Sequence, residues 1–238
     1  MDDEEVRLPG PTHKLAIVGR TGSGKTVAAL WHLSNADFDQ RAWIILDYKN
    51  DEHFNNITRA ERLTYDEDIP DDPGVYILKV LPKDQERVSE WFYKVWVHEN
   101  VGVIVDEGYM IDPQDDWFNA CLTQGRSKRI SMIVLSQRPV WLSRFVFSEA
   151  DFFQVFDLTH SKDMDKVREY IRDDDRQQLE QPLDPHHSYY YDVGRRQLET
   201  FGPVPDQGSL LLKIDARLKE LEWEEENPGQ ERGVRRAL

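Results

Sequence analysis

The stretch VGRTGSGKTVAAL, Val18 to Leu30, constrains this chain more than any other. Gly19-Arg20-Thr21-Gly22-Ser23-Gly24-Lys25-Thr26 matches G-x-x-x-x-G-K-[ST] in full. It lies between an apolar run, HKLAIVG, and a helical one, TVAALWHLSN, and strand–turn–helix is the context the motif requires. Glycines let backbone N–H groups turn inward around a phosphate, and the following helix points its positive N-terminus at the anion. Lys25 is expected to reach the β- and γ-phosphates of ATP, and the Thr26 hydroxyl to ligate Mg²⁺. Arg20, Thr21, Gly22, Ser23, Gly24 and Val27 complete the expected nucleotide cradle. A chance glycine turn is the competing reading, and flanks of this quality disfavour it. The motif says that phosphate is bound, not what the nucleotide is used for.

Composition narrows the choice. The chain has 238 residues, 39% hydrophobic and 32% charged, which suits one globular α/β domain with a sizeable core. No apolar run approaches the roughly 18 residues of a membrane span, and the acidic start MDDEEVRLPGP does not resemble a signal peptide. Cys121 is the single cysteine, so no intramolecular disulfide forms, in keeping with a reducing compartment. His186-His187 is the only histidine pair and a poor basis for a structural metal. A net charge of −15 argues against a protein coated in nucleic acid but leaves room for a ring whose channel alone is basic. Part of the acidity lies in DDEE (Asp2 to Glu5) and EWEEEN (Glu222 to Asn227), which read as solvated ends.

Buried strands are expected in HKLAIVG, AWIILDYK, VYILKVLP, VGVIVDEGYM, ISMIVLSQRP and DFFQVFDLT. Between them, DQERVSEWFYKVWVHEN is an amphipathic helix with Val88, Trp91, Phe92, Val95 and Trp96 on one face, read as core. Asp112-Pro113 is expected to open a helix through DDWFNACLTQGRSKR, with Asp as cap and Pro at its first position. KDMDKVREYI is another helix, and HSYYYDVGRRQLETFGP a hairpin turning near Gly194. The expected organisation is a flexible arm over 1–12, a P-loop domain over 13–206, and a polar, partly helical tail over 207–238. Strands alternating with helices predict a mostly parallel sheet covered on both faces, an α/β fold. Ligands of such sheets bind beyond the carboxyl ends of the strands, and each polar cluster here sits at such an end.

Asp106-Glu107 ends the strand VGVIV. An Asp there suits the Mg²⁺ side of a P-loop enzyme, and the Glu suits a base that activates water for attack on the γ-phosphate. The bland alternative is an acidic strand end facing solvent. The pair points to hydrolysis rather than transfer to a hydroxyl. Gln137 ends the next strand and can sit beside the γ-phosphate or the attacking water; ordinary strand-end hydrogen bonding is its bland role. Arg126 and Arg129 lie just upstream, as candidates to place positive charge on a neighbouring subunit's transition state, or as a solvated basic helix end. Asp47 and Lys49, in LDYKND, either couple nucleotide state to a partner or pair on the surface.

In order and context these residues resemble the FtsK–HerA superfamily of ring-forming, DNA-pumping ATPases: GRTGSGKT, the strand end LDYK, VIVDE, then GRSKRISMIVLSQRP. The last is the most specific. FtsK-like motors carry an arginine four residues before an apolar strand that finishes in Gln-Arg-Pro, and here Arg126 stands four before Ile130 while Gln137-Arg138-Pro139 closes the strand. The resemblance, over about residues 13–160, implies a RecA-like (ASCE) P-loop fold, with Arg126 as a trans-acting finger and Gln137 as sensor. The chain has no room for the membrane helices, barrel or winged helix of larger members. It looks like the genome-packaging ATPases of viruses with an internal membrane. That implies ATP and Mg²⁺, double-stranded DNA, a homo-oligomer of hexameric type, and capsid-vertex or membrane proteins as partners. It also implies host cytoplasm or a virion packaging vertex as location. Arg144, Lys128 and the Arg195-Arg196 turn are the few basic spots suited to DNA. Competing readings are a Zot-like assembly or secretion ATPase, a non-viral translocase of the same superfamily, or a kinase or switch GTPase. A switch GTPase would want an Asn-Lys-x-Asp guanine site, and no Asn-Lys pair occurs.

Overall fold

An apolar run with both faces buried needs a strand on each side, and β1 (Lys14–Val18) has them. In the computed structural model, which describes residues 6–227, it pairs in parallel with β6 (Ser131–Ser136) and with β7 (Phe152–Val155). Between β1 and β6 the chain forms α1 (Lys25–Ser34), β2 (Ala42–Asp47), α2 (Glu52–Asn55), β3 (Glu61–Leu63), β4 (Gly74–Lys79), α3 (Gln85–His98), β5 (Gly102–Val105) and α4 (Asp116–Gln124). Beyond β6 come α5 (Arg144–Ser148), β7, α6 (Ser161–Arg168), α7 (Asp173–Arg176), β8 (Ser188–Asp192), β9 (Gln197–Phe201) and α8 (Gln207–Glu226). The nine strands lie in the order β3-β4-β2-β5-β6-β1-β7-β8-β9. All are parallel except the hairpin β8–β9, which is added antiparallel to β7.

Strand alternation divides the core in two. Ala16 and Val18 of β1 face the side covered by α3 and α4, where Trp91, Phe92, Val95, Phe118 and Leu122 are buried. Leu15 and Ile17 face the other side, beneath α1 and α8. The α3 stripe is core, as its spacing predicts: Val88, Trp91, Phe92 and Val95 are all buried, with Trp96 packed beside them.

One expectation needs correction. The helix after β5 starts at Asp116, with Asp115 as cap, its carboxylate accepting Phe118 N–H at 2.7 Å. Asp112 instead closes a turn on Gln114 N–H, and the helix ends at Gly125, leaving residues 126–129 as a turn. Asp112, before Pro113, and Asp115, before Asp116, both carry helix-start signals, so the sequence does not separate the two starts. The tail from Gln207, expected to be polar and partly helical, forms α8, a helix of 20 residues whose Leu210, Ile214 and Leu218 are buried against α1. Spaced four apart, they make one narrow stripe in a polar segment. Within the expected arm, the Tyr190 hydroxyl donates to Arg7 C=O at 3.0 Å and Arg7 pairs with Asp192. DDEE, and the chain after Asn227, lie outside the described residues.

Candidate nucleotide site

Every parallel strand ends on the same edge of the sheet, and the expected site residues come from the ends of β1, β2, β5 and β6. The glycine turn is sewn to its neighbours: Gly19 N–H donates to Ser136 C=O at 3.2 Å, and Arg20 N–H to Asp157 C=O at 2.8 Å. Gly22 (φ 75°) and Gly24 (φ 108°) take left-handed conformations that free glycine of the strain other residues incur. At Gly19 the constraint is contact, since a Cβ there would stand 2.5 Å from Phe156 Cβ. Lys25 begins α1, buried, with its ammonium donating to Arg20 C=O at 3.0 Å. Burial first, and the nearby Lys49 charge second, push its pKa down to about 8.

Asp106 and Glu107 follow β5, and both are buried, 1% and 2% exposed. Burial raises Asp106 to about 6, and its Oδ2 has no hydrogen-bond partner. Glu107 sits in the left-handed region (φ 58°), so its carboxylate leaves the strand line. Its partner is the ammonium of Lys49, from the loop after β2. Asp47 is buried and does not pair on the surface; its carboxylate accepts Lys49 N–H (3.1 Å) and Asp51 N–H (3.0 Å). A buried, unpartnered carboxylate oxygen that feels the Lys25 charge suits a hard divalent cation, so Asp106 fits Mg²⁺.

The strand order sets β6 between β1 and β5, which inserts Gln137 between the glycine turn and the carboxylates. Its Oε1 accepts from Thr21 Oγ1, and its Nε2 donates to the Tyr109 hydroxyl at 3.2 Å. Arg126 and Arg129 lie elsewhere. They precede β6, so they stand at the other edge of the sheet from Gln137; five steps of ~3.3 Å make the strand roughly 17 Å long. Arg126 pairs with Asp151, its side chain 66% exposed, and Arg129 donates to Asn100 Oδ1 at 3.0 Å.

A cleft of about 500 Å³ opens over the glycine turn. Thr21, Gly22, Gly24, Lys25, Thr26, Val27 and Lys49 form its polar floor, and Phe156, His186 and Pro203–Pro205 its apolar wall. Sequence reading missed this wall. Phe156 ends a predicted strand and His186 belongs to the histidine pair, but only the fold brings them and the strap before α8 together.

A glycine turn between β1 and α1, with one strand interposed before a carboxylate-tipped strand, defines a P-loop NTPase of the ASCE type. No protein-family model matches the chain. It is, however, 41% identical over 217 residues to the DNA packaging ATPase P9 of Enterobacteria phage PRD1, across 88% of this chain and 95% of that protein. The chain belongs to the family of that packaging ATPase. Among solved structures, the genome packaging NTPase B204 of Sulfolobus turreted icosahedral virus 2, in complex with AMP, matches with a TM-score of 0.68 and 18% identity, over 83% of this chain and 100% of that one. EssC (ATPases 2 and 3) of Geobacillus thermodenitrificans matches with a TM-score of 0.58 and 13% identity, over 91% of this chain and 45% of that one. At such identities the likeness is one of fold.

Proposed function

We propose that this chain is an ATP-hydrolysing motor that translocates double-stranded DNA and packages a viral genome into a preformed capsid, working as a homo-oligomeric, hexameric ring. The observation that carries this reading is a divided site. The glycine turn, Asp106, Glu107 and Gln137 converge on one edge of the sheet, while Arg126 is exposed on the other. An arginine there is out of reach of its own chain's phosphates, which supports a role toward a neighbour's. Kinship to a protein named as a DNA packaging ATPase supplies the DNA and the packaging.

In this reading Arg20–Val27 cradle the triphosphate, and Lys25 holds its β- and γ-phosphates. The apolar wall of Phe156, His186 and Pro203–Pro205 receives the base. Thr26 and Asp106 would hold Mg²⁺, which neutralises phosphate charge when bound. Glu107 takes a proton from the attacking water, Gln137 orients that water or the γ-phosphate, and Arg126 of the next subunit, with Arg129 as the alternative finger, stabilises the transferring phosphoryl group. Of the basic spots suited to DNA, Lys128 pairs with Glu99 and lies over the Trp96 ring, Arg195 pairs with Asp192, and Arg144 lies over the Phe145 ring. Host cytoplasm and a packaging vertex with capsid or membrane proteins are the matching setting. Hydrolysis measured with nucleotide binding tests the site: Lys25→Ala should abolish both, and Glu107→Gln should bind ATP without turning it over. Normal turnover by Glu107→Gln would remove Glu107 as the base.

A further inference from the structure

Two turns at the carboxyl edge of the sheet hold each other. One, Gly108–Met110, follows the Asp106-Glu107 pair, and the other, Pro139–Trp141, follows Gln137 and Arg138. Gly108 lets the first turn lie against β6, since a Cβ there would collide with Val134 Cγ1. That approach carries Tyr109 across to Gln137, whose Nε2 donates to the Tyr109 hydroxyl at 3.2 Å. Thr21 of the glycine turn holds the other end of the same amide. The Tyr109 ring lies against Trp141, with centroids 5.8 Å apart, and the Arg138 guanidinium sits 4.2 Å from the Trp141 ring centre. Asp163, 1% exposed, fixes this second turn by accepting from Arg138 Nε at 3.0 Å and from Val140 N–H at 3.1 Å. Trp141 is 51% exposed, so a stack with Tyr109 and Arg138, rather than burial in the core, keeps it in place.

We propose that Tyr109 is a positioning residue for Gln137: its hydroxyl ties one end of the amide so that the other faces the glycine turn, and Trp141 braces the Tyr109 ring. The inference rests on the reading of Gln137 as the residue that orients the attacking water or the γ-phosphate. A glutamine side chain is long and rotates freely, so an untied amide spends little time in the arrangement that serves an in-line attack. Tied by Tyr109, it meets each new ATP already aligned. Tyr109 itself touches neither the phosphates nor the water, so losing its hydroxyl slows the chemical step and leaves nucleotide affinity in place.

The test is steady-state ATP hydrolysis by the full chain in its assembled oligomer, comparing Tyr109→Phe, Gln137→Ala and the two combined. Tyr109→Phe keeps the ring and removes only the hydroxyl; it should lower kcat by about fivefold to tenfold and keep KM within about twofold. Because Tyr109 acts through Gln137, the double variant should be within about twofold of Gln137→Ala alone. Trp141→Ala should slow the wild type and should not slow Tyr109→Phe further. Losses that multiply in the double variant would give Tyr109 a role of its own and overturn the proposal, as would a raised KM with unchanged kcat. Equal slowing of both backgrounds by Trp141→Ala would remove Trp141 as the brace. Gln137→Ala separates the remaining failures. If it hydrolyses normally, the reading of Gln137 falls and the positioning role with it; if it is slow while Tyr109→Phe runs at the wild-type rate, the positioning role alone falls.

Discussion

At the residue scale the site keeps charges where water would otherwise solvate them. Asp106 is the clearest case. Its pKa rises from the ordinary 3.8 to about 6, chiefly by burial. For a carboxylate raised on folding, the penalty is absent below the ordinary value and fully present above the raised one. At pH 7.5, without Mg²⁺, Asp106 therefore costs stability. Asp106→Asn should stabilise the metal-free protein by about 1–3 kcal/mol while losing hydrolysis, as read by thermal melts and phosphate release. Mg²⁺ should raise the melting temperature of the wild type and not of the variant. Lys25 carries the mirror-image burden, with a pKa lowered to about 8, so Lys25→Met should also melt above the wild type at neutral pH. These residues were legible in the sequence because P-loop chemistry fixes their types and order. Lys49 was legible as a strand-end cation, but its pairing with Glu107 depends on strand adjacency that spacing alone does not give.

At the element scale, α1 connects phosphate binding to the hairpin. His32 is fully buried on α1, its Nε2 2.9 Å from Gln154 Oε1 of β7, and Gln154 Nε2 donates to Ser188 Oγ of β8 at 3.0 Å. That chain of contacts puts the proton on Nε2. Burial pushes His32 down to about 4. A histidine lowered on folding contributes stability that is complete above its unfolded value near 6.5 and is lost as pH falls through that window toward 4. Melts from pH 7.5 to pH 5 should show a loss of about 2 kcal/mol, and His32→Gln should flatten it. The last helix makes a second prediction. Ile214 is 0% exposed, so Ile214→Ala should cost about 2–4 kcal/mol in denaturant unfolding despite the polar surroundings. Elements with continuous apolar runs were legible. Glu61-Arg62-Leu63 was not, because an edge strand of three residues beside β4 carries no periodicity, and α8 hid its stripe among charges.

At the scale of the whole molecule, the proposed division of the site between subunits implies that a lone subunit is a poor ATPase. Arg126→Ala should reduce turnover in the assembled oligomer, and mixing it with Lys25→Ala subunits should restore part of the activity, since each lends what the other lacks. No recovery on mixing would return Arg126 to its ion pair with Asp151 as a structural residue. The net charge of −15 fits a ring that meets duplex DNA at few points rather than along its surface. No helix among the described residues is long and apolar enough to cross a membrane. Ring size was not legible, because nothing in one chain's spacing sets the angle between copies. The most direct test is the rate of ATP hydrolysis by the assembled wild-type protein with and without long double-stranded DNA. The DNA-motor reading predicts a several-fold rise on adding DNA; an unchanged rate in the intact oligomer would contradict it.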